Sequence, residues 1–102
     1  MREVILSSDG EAMLCLVPGA VAENLEDYCR AFAENWLWQS PHARKYHRML
    51  GGVEGVVYTE ADFIDYLNRW VFPEEPSRVV RGLKCPFYDL PEECRALPRF
   101  NF

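Results

Sequence analysis

Two apolar stretches, Arg2-Glu-Val-Ile-Leu-Ser7 and Glu11-Ala-Met-Leu-Cys-Leu-Val17, stand on either side of Ser8-Asp9-Gly10. No other feature of the chain limits its fold so strongly. Asp-Gly takes the positive φ angles of a tight turn, so the spacing predicts a β-hairpin with strands over 2–7 and 11–17. Alternate side chains of a strand face opposite sides. Met13, Cys15 and Val17 therefore share one face, and Ala12, Leu14 and Leu16 share the other. Both faces are apolar, which requires a strand that is central in its sheet or covered on both sides.

Pro18-Gly19 ends the second strand, and a helix is predicted over 20–38. Val21, Leu25, Tyr28, Cys29, Phe32 and Trp36 recur at spacings of three and four, opposite Glu23, Asp27, Arg30 and Glu34. That is one buried stripe on an amphipathic helix. Pro41 stops it, because proline lacks an N–H and pushes its predecessor out of the helical region. Ser40 and Pro41 can then cap and open a short helix over 41–47. Gly51, Gly52 and Gly55 bracket a tight connection, and Gly55-Val-Val-Tyr58 reads as a short strand. Thr59 with Asp62 three residues on resembles a capping box, opening a helix over 60–72. Phe63, Leu67, Trp70 and Val71 are expected to face the core.

Residues 73–102 hold five of the seven prolines and read as a proline-rich arm packed on the body. Within it, 77–82 suits one or two helical turns and 91–97 a short helix. The Arg99-Phe-Asn-Phe102 tail should be tied down, since exposed Phe stabilises nothing. The expectation is a single α+β domain spanning 1–102, in the order β-β-α-α-β-α. Its hairpin and the 56–58 strand form a small antiparallel sheet, and the helices at 20–38 and 60–72 pack across it.

A chain of 102 residues with 14% aromatics can bury a core without staples and does not suit disorder. No apolar run nears the ~20 residues of a membrane span, and the N-terminus lacks the roughly 7–15-residue apolar run of a signal peptide. A cytoplasmic protein is expected, with no membrane association. In that compartment Cys15, Cys29, Cys85 and Cys94 are free thiols rather than a disulfide framework. The net charge of −5 excludes the whole-domain basic footprint of most nucleic-acid binders. The sign is uneven, however. Residues 39–48 carry three cations and no anion, and 77–102 carry five cations against three anions.

Few side chains suggest chemistry. His42 and His47 have a ligand-like spacing, but Cys85 and Cys94 do not complete a zinc pattern, so no metal or other cofactor is expected. Cys85, beside Lys84, is the best placed thiol for nucleophilic work, without a local signature. Glu60, Asp62 and Asp65, and Glu23, Glu26 and Asp27, read as solvated helix faces. The Gly51–Gly55 stretch lacks the phosphate-loop patterns. No catalytic residue is assigned.

The segment WLWQSPHARKYHR, Trp36–Arg48, is the most unusual in composition. Trp38 lies about 200° from Trp36 on a helical wheel, so it is expected to be the more exposed of the two. Trp, Tyr and Arg are enriched at interface centres. Trp38, His42, Arg44, Lys45, Tyr46, His47 and Arg48 are therefore the candidate interaction surface. With SPHARKY (Ser40–Tyr46), VVYTEADFIDYLNRWVFP (Val56–Pro73) and PRFNF (Pro98–Phe102), the chain resembles a group of small uncharacterised proteins of gut Firmicutes, often encoded near mobile elements. The resemblance implies at most an accessory role and supplies no catalytic residues. The function expected is a non-catalytic protein-interaction module, whose partner is either another protein or a second copy of the chain. The alternative is a nucleic-acid-binding accessory protein of a mobile element, using 42–48 and the basic C-terminal arm.

Overall fold

A computed structural model describes residues 1–102. The hairpin forms where the turn chemistry places it: β1 (Arg2–Ser7) and β2 (Glu11–Val17) are antiparallel, with Leu6 opposite Met13. Gly10 takes φ +97°. The Asp9 carboxylate accepts from the Glu11 N–H at 3.0 Å, and the Ser7 hydroxyl accepts from the Gly10 N–H at 2.9 Å. A helical segment follows as α1 (Gly19–Glu23), α2 (Leu25–Arg30), π-helical turns over Ala31–Trp36, and α3 (Leu37–Gln39). A 3₁₀ run, Pro41–Tyr46, leads into β3 (His47–Leu50) and β4 (Val53–Val56). Next come α4 (Glu60–Tyr66), π-helical turns over Leu67–Val71, β5 (Arg78–Pro86), a 3₁₀ turn at Glu92–Cys94, and β6 (Arg99–Asn101).

The class is α+β, with two sheets. The larger has the order β5-β2-β1-β6, with β5 antiparallel to β2 and β6 parallel to β1. β2 is thus central, and both of its apolar faces are covered. The helices bury Val4, Leu6, Cys15 and Val17 with Val21, Leu25, Cys29, Phe32, Phe63 and Leu67. On the opposite face Phe87, Leu90 and Cys94 cover Ile5, Ala12 and Leu14.

Several expectations are corrected. The C-terminal third is not an arm laid on a finished body, because it contributes both edge strands of the main sheet. Residues 78–82 belong to β5 and Ser77 precedes it, so the window 77–82 forms no helical turn. They pair with a β2 whose side would otherwise be left with unbonded backbone groups. β5 fits only by bulging: two steps along β2, Glu11 to Met13, oppose four on β5, Pro86 to Gly82. Lys84 sits within that bulge at φ +56°. Residues 91–97 give only the 3₁₀ turn. The third strand does not join the hairpin either. Gly51 and Gly52, at φ +58° and +85°, make the two-residue turn that matches strand twist. They pair β4 with β3 as a separate two-stranded sheet.

The π-helical turns explain two differences from the wheel. Leu37 N–H donates to the carbonyl of Phe32, and Phe72 N–H to that of Leu67, each five residues back. Such a turn advances each residue by less than the roughly 100° of an α-helix. Leu37 therefore comes into the core beside Phe32, fully buried, while Trp36 stays half-buried. On the other helix Trp70 turns outward and is 48% exposed, not a core residue as expected. The Asp62 carboxylate accepts from the Thr59 N–H at 2.8 Å, completing the reach-back half of the capping box.

Candidate functional site

The seven sequence-selected residues span α3, the 3₁₀ run and the start of β3. In a 3₁₀ helix side chains three apart eclipse one another. Ala43 and Tyr46 accordingly share the inward side and are buried, and His42, Arg44 and Lys45 point outward. Tyr46 thus leaves the candidate surface; its ring packs on Trp36 at 6.3 Å, and burial raises its phenol pKa. Trp38 is 47% exposed and Trp36 half-buried, so Trp38 is the more exposed of the two, as the wheel indicated. His42 stacks on the exposed Trp70 ring, centroids 4.3 Å apart. Arg48 stays near its own backbone, donating to the Lys45 and His47 carbonyls at 2.8 Å. Arg44 makes no ion pair.

His47 is the most constrained of the set. Its Nδ1 lies 2.6 Å from Glu54 Oε1 and its Nε2 lies 2.6 Å from the Leu37 carbonyl oxygen. Trp38 meets the same ring edge-on at 5.7 Å. An open cleft of about 560 Å³ lies between Trp38, Ser40-Pro41, Arg44 and the His47–Glu54 pair. A second, more apolar cleft of about 470 Å³ lies on the other side of Trp38, lined by Ala33, Val56, Tyr58, Phe100 and Phe102 among others.

The residues that composition did not single out are on the β3–β4 hairpin. Met49, Leu50 and Val53 are 68%, 54% and 69% exposed. Leu50 and Val53 are directly paired, so they share a face. The Gly-Gly turn between two four-residue stretches was the available signal.

The remaining chemistry candidates resolve into structure. The two histidines are held apart in different contacts, one on Trp70 and the other between Glu54 and Leu37. Cys15 and Cys29 are fully buried, and burial pushes the Cys15 thiol up to about 12 and raises Cys29 as well. Buried, protonated thiols of this kind are poor nucleophiles. Glu26 and Glu34 pair with Arg30, and Asp65 with Arg69. These are exposed pairs that contribute little stability. The Glu60 carboxylate accepts from the Ser8 hydroxyl, fastening α4 to the β1–β2 turn. No helix is long and apolar enough to cross a membrane. Comparison with family models, curated proteins and solved structures finds no match to this chain.

Proposed function

We propose that the protein is a non-catalytic interaction module that binds a second copy of itself through the β3–β4 hairpin and Trp38. The observation that carries this reading is the Leu50–Val53 pair, apolar and turned to water on a two-stranded sheet. A lone hairpin is marginal by itself, and clustered exposed apolar side chains mark association surfaces. Trp38 stands at the base of the same hairpin, against His47. Pairing with a like hairpin would cover Leu50 and Val53 and satisfy free strand edges. The accessory role implied by the family resemblance is compatible with such a module.

Sedimentation across a concentration series tests the reading. Wild type should show a monomer–dimer equilibrium. Leu50→Ser with Val53→Ser, and separately Trp38→Ala, should shift it toward monomer while changing stability by less than about 0.5 kcal/mol, as expected of surface substitutions. A wild type that stays monomeric to about 1 mM, a Kd worth only ~4 kcal/mol, would remove the proposal.

The second reading, a nucleic-acid accessory protein, draws on the exposed His42–Trp70 stack beside Arg44 and Lys45. Stacked aromatics with cations suit single strands. It loses Tyr46 as a stacking platform, and the arm's Arg78, Arg81 and Lys84 lie on an edge strand. There, charge also guards against stray strand pairing. Titration with single- and double-stranded DNA at two salt concentrations separates the readings, since phosphate-driven binding weakens steeply with salt.

A further inference from the structure

Pro41 creates a vacancy in the hydrogen bonding of the preceding helical segment. The Leu37 carbonyl would normally accept from the N–H four residues on, but that residue is proline and has none. His47 supplies the missing donor through Nε2, at 2.6 Å. Its Nδ1 meanwhile faces Glu54 Oε1 at the same distance. A carbonyl and a carboxylate are both acceptors only. A neutral imidazole has one N–H, so only the imidazolium can satisfy the two together. The bond to Glu54 lies within the hairpin, whereas the bond to Leu37 ties the hairpin to α3.

We propose that His47 is a proton-operated latch: its imidazolium fastens the β3–β4 hairpin to the end of α3 at Leu37, and loss of a proton to water releases that tie. The carboxylate is the stronger acceptor, so the remaining proton stays on Nδ1. The Nε2 lone pair then faces the lone pairs of the Leu37 oxygen, and that contact becomes repulsive. The groups around the ring favour the fastened form. The Glu54 carboxylate and the Leu37 carbonyl raise the imidazole pKa from its usual 6.5, against partial desolvation and the charge of Arg44. Trp38, uncharged, closes one side of the ring. The latch sits in the surface assigned to self-association and rests on that reading only for its consequence: dimerisation that changes with pH across the His47 titration.

Imidazole ¹⁵N NMR on the full chain tests the latch without any partner, with His42→Gln used to assign the two rings. The His47 midpoint should lie above 6.5, its neutral form should carry the proton on Nδ1, and Glu54→Gln should lower the midpoint. Amide protection factors in β3 and β4 should fall as pH passes the midpoint while those of β1 and β2 hold. A midpoint at or below 6.5, a neutral Nε2–H tautomer, or hairpin protection indifferent to pH would each overturn the proposal. If His47 titrates as expected but the protein sediments as a monomer at every pH, the latch stands and the self-association reading fails.

Discussion

Replacing Phe32 with Ala should destabilise this protein strongly, and the reason is the number of chain segments that meet on one ring. Phe32 is fully buried. Its centroid lies 5.1–6.0 Å from the rings of Trp36, Tyr58, Phe63, Tyr66 and Phe102. These belong to the π-helical turns after α2, the loop before α4, α4 itself and the C-terminal tail. At ~25 cal/mol per Å², losing roughly 100–150 Å² of apolar burial costs about 2.5–4 kcal/mol. A cavity term adds to this when neighbours cannot collapse inward. Five rings spread over four segments are poorly placed to do so, and the expected loss is about 4–5 kcal/mol, the upper part of the Phe→Ala range. Against a total stability of ~5–15 kcal/mol, that is from about a third to nearly all of it. Phe32→Leu, losing roughly 1–2 kcal/mol, keeps the protein folded for measurement. Urea denaturation should show lower midpoints for both variants at unchanged m, the sign of altered stability without altered compactness. A double-mutant cycle with Phe102→Ala should give a coupling of about 0.5–1.5 kcal/mol. A Phe32→Ala loss below about 1 kcal/mol would refute the convergence argument; additivity with Phe102 would show that the tail is not seated on this ring.

Native thiol labelling should mark Cys85 first, because it alone is partly exposed, while Cys15, Cys29 and Cys94 are buried; rapid labelling of Cys29 would mean the helix face is misassigned. Asn68 accepts from the Ser77 N–H at 2.6 Å and donates to its carbonyl at 2.9 Å. Asn68→Ala strands both groups and should cost about 2–3 kcal/mol in a urea melt, with a loss near zero showing that water replaces the amide. Because folding raises the His47 pKa, its stabilising contribution is full below the ordinary 6.5 and is lost as pH rises through the folded value. His47→Gln should therefore flatten the stability profile above pH 6.5, and an unchanged slope would assign the pH dependence elsewhere.

Much of the helical face of the core was legible in the residues themselves. Asp9-Gly10 specifies its turn through side-chain and φ preferences that need no distant partner. The Val21, Leu25, Cys29, Phe32 stripe and the Thr59–Asp62 cap are likewise written at short spacing. The two apolar faces of Glu11–Val17 correctly demanded a layer on each side. They did not say what the second layer was. Trp38 could be separated from Trp36 by angle alone, but the pairing of His47 with Glu54 required knowing that Gly51-Gly52 closes a second hairpin.

What the tertiary structure decided is the pairing of remote segments. The window 77–82 is compatible with a helical turn or a strand, and only the free side of β2 selects the strand. β6 joins β1 in parallel from more than ninety residues away, so nothing in its three residues could announce the partner. The π-helical turns, too, answer to packing: they turn Leu37 inward and Trp70 outward because the rings around Phe32 must share one space. Turns, caps and stripes are set by interactions a few residues long. Sheet order and the facing of aromatic rings are set by which backbone edges and volumes remain unfilled once those local elements meet.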